Sequence, residues 1–146
     1  VVVTGSDGHR WKTWALPDGN IIVTGEGHTD WLSGCCFHPS GTQPVTSSGD
    51  TAVRMWDFSK RAWRLTAKGR GHAGWHCSWR PCGDFTASAS TDNTSKIWDC
   101  CTSVTFFCSE RRGYTMCGHK DSVNSIEFLP FSNTVLPSSA DKTLPL

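Results

Sequence analysis

A repeated set of polar residues constrains the fold of this 146-residue chain more than any other feature of its sequence. Three units of the chain share a Gly-His pair, at intervals of 44 and 47 residues, and each of these pairs is followed by a Ser-x-Asp segment. The distances from His to Asp are 22, 20 and 22 residues, and in the first two units a Trp-Asp pair follows with its Trp six residues after that Asp. The Gly-His pairs are Gly27-His28, Gly71-His72 and Gly118-His119. The Ser-x-Asp segments are 48–50, 90–92 and 139–141, and the Trp-Asp pairs are Trp56-Asp57 and Trp98-Asp99. Periods of this length are typical of folds built from stacked structural repeats.

Short segments with strand character lie between the markers. Leu32 to Phe37 and Phe85 to Ser90 are each followed by turn residues, and Ala52 to Trp56 and Ser95 to Trp98 mix β-branched with aromatic side chains. In Val123 to Phe128, we expect the side chains of 123, 126 and 128 to face the core. No sustained helical pattern is present, so units of about 42 residues predict four-stranded antiparallel sheets.

Composition excludes several classes of protein. The longest apolar runs contain about three residues, far short of the roughly 20 that a membrane-spanning helix needs. The chain begins at Val1 without a visible secretory signal, so we expect cut termini and a cytosolic compartment in which the eight cysteines are reduced thiols. No CxxC spacing occurs, and we predict no metal site and no cofactor.

The markers and three longer stretches resemble the WD-repeat β-propeller family over nearly the whole chain. The stretches are EGHTDWLSGCCFHPSG at 26–41, SKIWD at 95–99 and DSVNSIEFLPFSNTVLPSSADKT at 121–143. The resemblance implies an all-β fold: a partial propeller of about three and a half four-stranded antiparallel blades that does not close on its own. It divides the chain into a partial first blade at 1–26, a blade at 27–70, a blade with an irregular outer strand at 71–117 and a truncated blade at 118–146. We expect other residues or another copy to complete the ring.

The resemblance also assigns the marker residues to a hydrogen-bond network inside each blade. The implied sets are His28, Ser48, Asp50 and Trp56; His72, Ser90, Asp92 and Trp98; and an incomplete set of His119, Ser139 and Asp141. A catalytic triad occurs once per site, whereas these residues recur in every unit, so we predict a structural role and no catalytic residues. His76 and Cys77 are adjacent on a strand and should point to opposite faces, which argues against a Cys-His nucleophile. Pro44, Pro137 and Pro145 each remove a ladder donor, so we expect edge, bulged or irregular strands there.

Two groups of residues are candidates for binding a partner. Trp31 follows His28 by three residues, where the resemblance implies side chains that contact partners, although packing between blades is the alternative. Trp75 is equivalent to Trp31 when residues are counted forward from the histidine of each unit, here His72. It is equivalent to Ser33 when residues are counted back from the turn that follows the strand, here Pro81 and Gly83.

The second group is basic. The segment from Arg54 to Arg80 carries seven basic residues and one acidic residue, within a chain whose net charge is only +1. Its candidate partner-binding residues are Arg61, Arg64, Lys68 and Arg70. The segment suits a solvated outer face, a docking face for acidic surfaces such as tubulin, or an RNA-binding surface in which Trp63 and Trp79 stack on bases.

The amino-acid sequences of the three stretches are similar to those of the branch of the family found in the axonemal central apparatus. This similarity implies a non-enzymatic scaffold in the cytoskeleton of cilia and flagella, with armadillo-repeat proteins and tubulin as candidate partners. No small-molecule substrate and no membrane partner are expected. An RNA-associated propeller is the alternative, and a variant with impaired folding is a third possibility.

Overall fold

The structure, a computed structural model, describes residues 1–58, 60, 62–67, 71–100 and 113–143. Within these residues all helices are absent and the regular elements are thirteen β-strands, so the all-β prediction is confirmed. The strands are β1 (Val2–Gly5), β2 (Arg10–Trp14), β3 (Ile21–Glu26), β4 (Leu32–Phe37), β5 (Pro44–Ser48), β6 (Val53–Asp57), β7 (Ala62–Ala67), β8 (Gly74–Trp79), β9 (Phe85–Ser90), β10 (Ser95–Asp99), β11 (Gly113–Met116), β12 (Val123–Phe128) and β13 (Val135–Ser139). None of the described segments forms a helix able to cross a bilayer.

The strands form four antiparallel sheets that follow one another along the chain. The first sheet holds β1 to β3, the second β4 to β7, the third β8 to β11 and the fourth, as described, β12 and β13. Strands β4, β8 and β12 begin successive sheets; β8 packs against both β4 and β12, and β1 packs against β4. The described sheets do not close into a ring, as expected for part of a propeller.

Apolar side chains fill the space between neighbouring sheets. Trp11 and Val23 of the first sheet pack against Leu32 and Trp56 of the second. A second cluster joins the second and third sheets, and a third joins the third and fourth. Because each sheet buries one face against the next, the sheets stabilise one another as stacked repeats do.

Most of the predicted strands agree with the structure. The bounds of β4, β9 and β12 match the predicted segments, and Val123, Ile126 and Phe128 are buried as predicted. Residues 101–112, which lie between β10 and β11 in the blade at 71–117 that was predicted to have an irregular outer strand, lie outside the described residues, as does Pro145.

Of the three prolines for which disturbed strands were predicted, the two that the structure describes lie within regular strands. Pro44 is the first residue of β5, a position where a missing backbone donor is tolerated. Pro137 lies in the middle of β13, paired with Ile126 and without a register shift at that point, so of the three predicted alternatives the bulge and the irregularity are absent and the edge position among the described strands is present. Among the described strands β13 pairs only with β12, and a strand with one described neighbour accommodates a proline more readily than a central strand.

Candidate functional site

A buried chain of hydrogen bonds crosses the second sheet. Nδ1 of His28 lies 2.8 Å from Oδ2 of Asp50, and Nε2 of His28 lies 2.8 Å from Oγ1 of Thr46. Nε1 of Trp56 donates to the same Thr46 hydroxyl at 2.8 Å. Because an indole nitrogen only donates, the Thr46 hydroxyl is free to donate to His28 Nε2, and the opposite ring nitrogen of His28 donates to Asp50.

The backbone around His28 explains the Gly-His marker. Gly27 has a φ of 148° and Gly118, which precedes His119, has a φ of 157°, a region that residues with a Cβ rarely adopt. This turn directs His28 under the start of β4, where its side chain has no solvent exposure. The glycine therefore positions the histidine in these two loops, whereas Gly71, which precedes the exposed His72, does not adopt a positive φ.

Asp50 is the charged end of this network. Burial by itself raises the pKa of Asp50, but the hydrogen bonds from His28 and from the backbone N–H groups of Ala52 and Thr29 outweigh burial and lower the pKa below its usual range. Arg54 lies on the same side, with Nη2 3.6 Å from the Asp50 carboxylate and Nη1 donating to the Gly27 carbonyl. The site is therefore an ionic cluster inside a sheet.

The threonine in this network differs from the residue expected from the sequence. Thr46, and not Ser48, joins His28 to Trp56. Ser48 lies two residues further along β5, where its hydroxyl donates to the Asp30 carbonyl and accepts from the Asp50 backbone N–H, both at 3.1 Å. Ser48 thus ties the turn after β5 to the loop before β4.

The same serine contact recurs in the other two units. Ser90 accepts from the Asp92 N–H at 3.2 Å and donates to the Ala73 carbonyl at 2.9 Å. Ser139 accepts from the Asp141 N–H at 3.1 Å and donates to the Asp121 carbonyl at 3.0 Å. The Ser-x-Asp marker therefore encodes a turn that is fastened to the preceding loop.

Sequence reasoning missed a second set of hydroxyl groups. Trp14 donates to Thr4 at 2.8 Å and Trp98 donates to Ser88 at 2.6 Å, in the same way that Trp56 donates to Thr46. In all three pairs the hydroxyl precedes the tryptophan by ten residues, a spacing that could have identified them in the sequence.

The third sheet has a shorter version of the network. The Trp98–Ser88 bond is present, and the Asp92 carboxylate accepts from Thr94 N at 3.0 Å. His72 is exposed, and within the described part of the chain its ring forms no hydrogen bond to Ser88 or Asp92. One residue separates His72 from β8, whereas three separate His28 from β4, so His72 lies outside its sheet.

In the fourth sheet the network is interrupted at Pro137. His119 Nδ1 lies 2.9 Å from Asp141 Oδ2, and Thr143 donates to the other carboxylate oxygen. The hydrogen bond from Thr143 and those from Lys120 N and His119 lower the pKa of Asp141 below its usual range. Pro137 stands 18 residues after His119, as Thr46 stands 18 after His28, but it has no hydroxyl. His119 Nε2 is buried and has no hydrogen-bond partner among the described residues.

The two candidate tryptophans meet across the boundary between the second and third sheets. The ring centroids of Trp31 and Trp75 are 5.3 Å apart with an interplanar angle of 48°, and Trp75 is 41% exposed. Trp75 lies at a register shift in β8 between Gly74 and His76, as Ser33 does in β4, so the count from Pro81 and Gly83 describes its position. A bulge redirects the side chain it carries, which brings Trp75 over Trp31.

The basic segment is only partly described. Arg61, Lys68 and Arg70 lie outside the described residues, and the structure does not describe the side chains of Trp63 and Arg64. Arg54 is buried beside Asp50, and Arg80 pairs with Asp84 at 2.7 Å and contacts Asn133. Trp79 is also buried, so it is not available to stack on a base. Two of the groups on which the RNA interpretation relied, Arg54 and Trp79, are therefore buried, and Arg80 is held in an ion pair.

The adjacent His76 and Cys77 point toward different sheets. His76 Nδ1 lies 3.1 Å from the Ile126 carbonyl of the fourth sheet, and Cys77 Sγ lies 3.7 Å from the Val45 carbonyl of the second. Among the described residues, no cluster of three metal-ligating side chains is present.

Comparison with known proteins identifies three copies of one repeat. Residues 19–57, 63–99 and 110–146 match the family model described as WD domain, G-beta repeat. The chain is 54% identical over 41 residues to sperm-associated antigen 16 protein of Homo sapiens, a match that covers 28% of this chain and 6% of that protein.

Two longer matches are weaker in identity. WD repeat-containing protein 37 of Homo sapiens is 39% identical over 98 residues, covering 66% of this chain and 20% of that protein. Nuclear distribution protein nudF of Aspergillus terreus is 31% identical over 98 residues, covering 66% of this chain and 22% of that protein. The chain thus spans a small part of each relative's length.

Proposed function

Because this chain belongs to the WD40 repeat family, we propose that it is a non-enzymatic scaffold that holds protein partners. Proteins of this family generally act as interaction scaffolds. The observation that carries the proposal is the repeated internal use of the polar markers: the carboxylates of Asp50 and Asp141 accept from histidine rings and backbone N–H groups. Side chains committed to holding sheets together are not available as a nucleophile and base.

The partner-binding face of this scaffold is the aromatic pair Trp31 and Trp75. An exposed tryptophan braced by a second ring offers a large contact area at little cost in side-chain entropy, as interaction hot spots do. Trp31 is held in place by Gly49, because a Cβ there would lie 2.6 Å from Trp31 Nε1. This packing supports a preformed contact surface spanning two neighbouring blades.

The cellular setting of the scaffold is the axonemal central apparatus of cilia and flagella. This part of the proposal rests on the resemblance of the three sequence stretches and on the 54% identity to sperm-associated antigen 16 protein over 41 residues. The partners would be proteins of that apparatus, including armadillo-repeat proteins and tubulin. Lys60, which is exposed, and the other basic residues near it would favour an acidic partner surface.

The experiment compares two exposed aromatic residues on opposite sides of the chain. Trp75 lies at the start of β8, the first strand of the third sheet. Phe131 lies in the turn after the end of β12, the first strand of the fourth sheet, and is fully exposed. We expect Trp75→Ala to weaken binding to purified central-apparatus proteins by about tenfold or more and Phe131→Ala to leave it unchanged. Equal effects of the two substitutions would refute the binding face.

Location is a separate question with its own measurement. A tagged chain expressed in ciliated cells should be enriched at the central pair of the axoneme by fluorescence or immunogold imaging. Exclusion of the tagged chain from the axoneme would refute the cellular setting without affecting the scaffold proposal. Binding of single-stranded RNA in preference to tubulin tails, with a steep salt dependence, would instead favour the RNA-associated alternative.

A further inference from the structure

The aromatic pair on the proposed binding face has a carboxylate beside it. Asp30 immediately precedes Trp31, and its Oδ1 accepts from the Trp31 backbone N–H at 2.8 Å. A Cβ at Gly49 would lie 2.6 Å from Trp31 Nε1 and 2.9 Å from Asp30 Oδ2, so the indole edge and the second carboxylate oxygen border the same point. The patch therefore combines the rings of Trp31 and Trp75 with one negative charge.

The second oxygen of Asp30 is open to a new donor. Within the part of the chain that the structure describes, no group donates a hydrogen bond to Asp30 Oδ2. Asp50, in the turn after β5, is different, because its carboxylate already accepts from His28, Thr29 N and Ala52 N. A carboxylate oxygen only accepts, so a group that binds at Asp30 must bring an N–H or O–H.

The two rings favour a cation as the group that brings this donor. Trp75 is 41% exposed and lies with its centroid 5.3 Å from that of Trp31, which is partly exposed. The face of a tryptophan ring attracts cations more strongly than the faces of other aromatic side chains do. A carboxylate next to the same ring attracts the same cation, so both parts of the patch select positive charge.

The basic Lys60 lies at the other end of the second sheet. Strand β4 runs away from Trp31, β5 returns and β6 runs away again, so the turn after β6 that contains the exposed Lys60 is far from the aromatic pair. The two ends of the sheet therefore suit different groups on a partner. An acidic surface fits the end with Lys60, and a basic side chain fits the end with Asp30.

The fourth sheet has the same loop without the rings. Asp121 holds the place of Asp30, two residues after the histidine, and its Oδ1 accepts from the Ser122 N–H at 2.7 Å. Ser122 stands where Trp31 stands in the second sheet. The loop conformation therefore does not require a tryptophan, which leaves the Trp31 ring available for binding.

We propose that Asp30, Trp31 and Trp75 form a recognition site for an arginine side chain of a partner protein. This inference rests on the binding face proposed above and specifies the chemistry of the group that the face binds. The aliphatic part of the arginine packs on Trp75, and its guanidinium lies over Trp31 and donates to Asp30 Oδ2. Arginine suits the site better than lysine, because a planar guanidinium stacks on an indole ring and donates within its own plane at the same time.

The test titrates the 15N-labelled chain with a short glycine-serine peptide that carries one central arginine. A matched peptide carries citrulline, which has nearly the same shape but no positive charge, and a third carries lysine. The readouts are the indole resonances of Trp31 and Trp75 and the dissociation constant. We expect both resonances to shift and the arginine peptide to bind about fivefold more tightly than the citrulline peptide and more tightly than the lysine peptide. Equal affinity of the arginine peptide and either control peptide would overturn the proposal.

Two variants test the carboxylate. Asp30→Asn keeps Oδ1 as the acceptor for the Trp31 N–H but removes the charge, so the affinity for the arginine peptide should fall about fivefold and that for the citrulline peptide should stay the same. Asp121→Asn is the matched control, because it makes the same change in a loop without a tryptophan, and it should leave both affinities unchanged. Equal effects of the two substitutions would contradict the assigned site.

The arginine site and the binding face can fail separately. In the assay with purified central-apparatus proteins, a loss of binding in Trp75→Ala together with full binding in Asp30→Asn would keep the face and refute the arginine site. A loss of binding in both variants would support both. If neither variant weakened that binding, the face would be refuted, and the peptide titration would decide the arginine site by itself.

Discussion

Replacing Thr46 with valine tests whether the buried chain of hydrogen bonds stabilises the second sheet. The substitution keeps the shape of the side chain but removes the one hydroxyl that both His28 Nε2 and Trp56 Nε1 contact at 2.8 Å. The two rings have little or no access to water, so neither nitrogen gains a solvent partner when the hydroxyl is lost.

The expected loss follows from the number of groups left unpaired. Each buried polar group without a partner costs about 1–3 kcal/mol, so Thr46→Val should lower the free energy of unfolding by about 3 kcal/mol. Thr46→Ser keeps the hydroxyl and loses one methyl group, which predicts a loss of about 1 kcal/mol. Thr86→Val is the matched control in the third sheet, because the Thr86 hydroxyl makes a single described bond, to the Ser78 carbonyl at 2.9 Å, and we expect a loss of about 1 kcal/mol.

The assay is equilibrium unfolding in urea, followed by tryptophan fluorescence and by far-ultraviolet circular dichroism, with the three variants and the parent chain measured together. The 15N resonance of His28 Nε2 provides an independent check, because it should move in Thr46→Val and stay in place in Thr46→Ser. If Thr46→Val were no more destabilising than Thr86→Val, the hydroxyl would not be the shared partner of two buried rings, and the reasoning would fail.

Three other predictions concern acid stability, the tryptophan pair and the thiols. Because the pKa of Asp50 is lowered on folding, the unfolded chain takes up the proton first, so stability should decline as the pH falls below about 4, and Asp50→Asn should flatten the dependence of the urea midpoint on pH between 6 and 3. Gly49→Ala should displace Trp31 from its partner ring, with a loss of about 1–3 kcal/mol and a change in the near-ultraviolet circular dichroism, since the added Cβ would lie 2.6 Å from Trp31 Nε1. Burial raises the pKa of the Cys35 thiol to about 11, so iodoacetamide should modify the exposed Cys82 in the native chain and reach Cys35 only after unfolding; equal rates by mass spectrometry would contradict this.

Strand positions could be predicted because a strand is a local pattern. The sequence analysis expected the side chains of Val123, Ile126 and Phe128 to face the core, and all three are buried. The register shift between Val123 and Ser125 explains why the first step between buried residues is three positions and not two. The Gly-His marker at Gly27 coincides with a local turn of positive φ, a conformation that glycine adopts most readily, although the sequence analysis used the pair only as a repeat marker.

Strand alternation does not choose between Thr46 and Ser48, and only the ten-residue spacing from hydroxyl to tryptophan would have favoured Thr46. The two residues are two apart on one strand, so both point to the same face of the sheet and alternation does not distinguish them. Which hydroxyl meets His28 depends on where the loop before β4 crosses β5, a distance between segments remote in sequence. The same reason explains His72, whose marker is intact but whose shorter loop leaves the ring outside the sheet.

The amino-acid sequence by itself determined the repeat, the all-β architecture and the family, because spacing and alternation are properties of the chain and each unit must bury the same face. Only the tertiary structure decided which hydroxyl serves each ring, that Trp31 and Trp75 form a pair, and that Pro137 leaves His119 Nε2 without a hydrogen-bond partner among the described residues. These are contacts between sheets, and they depend on angles and distances set by the packing of many residues at once.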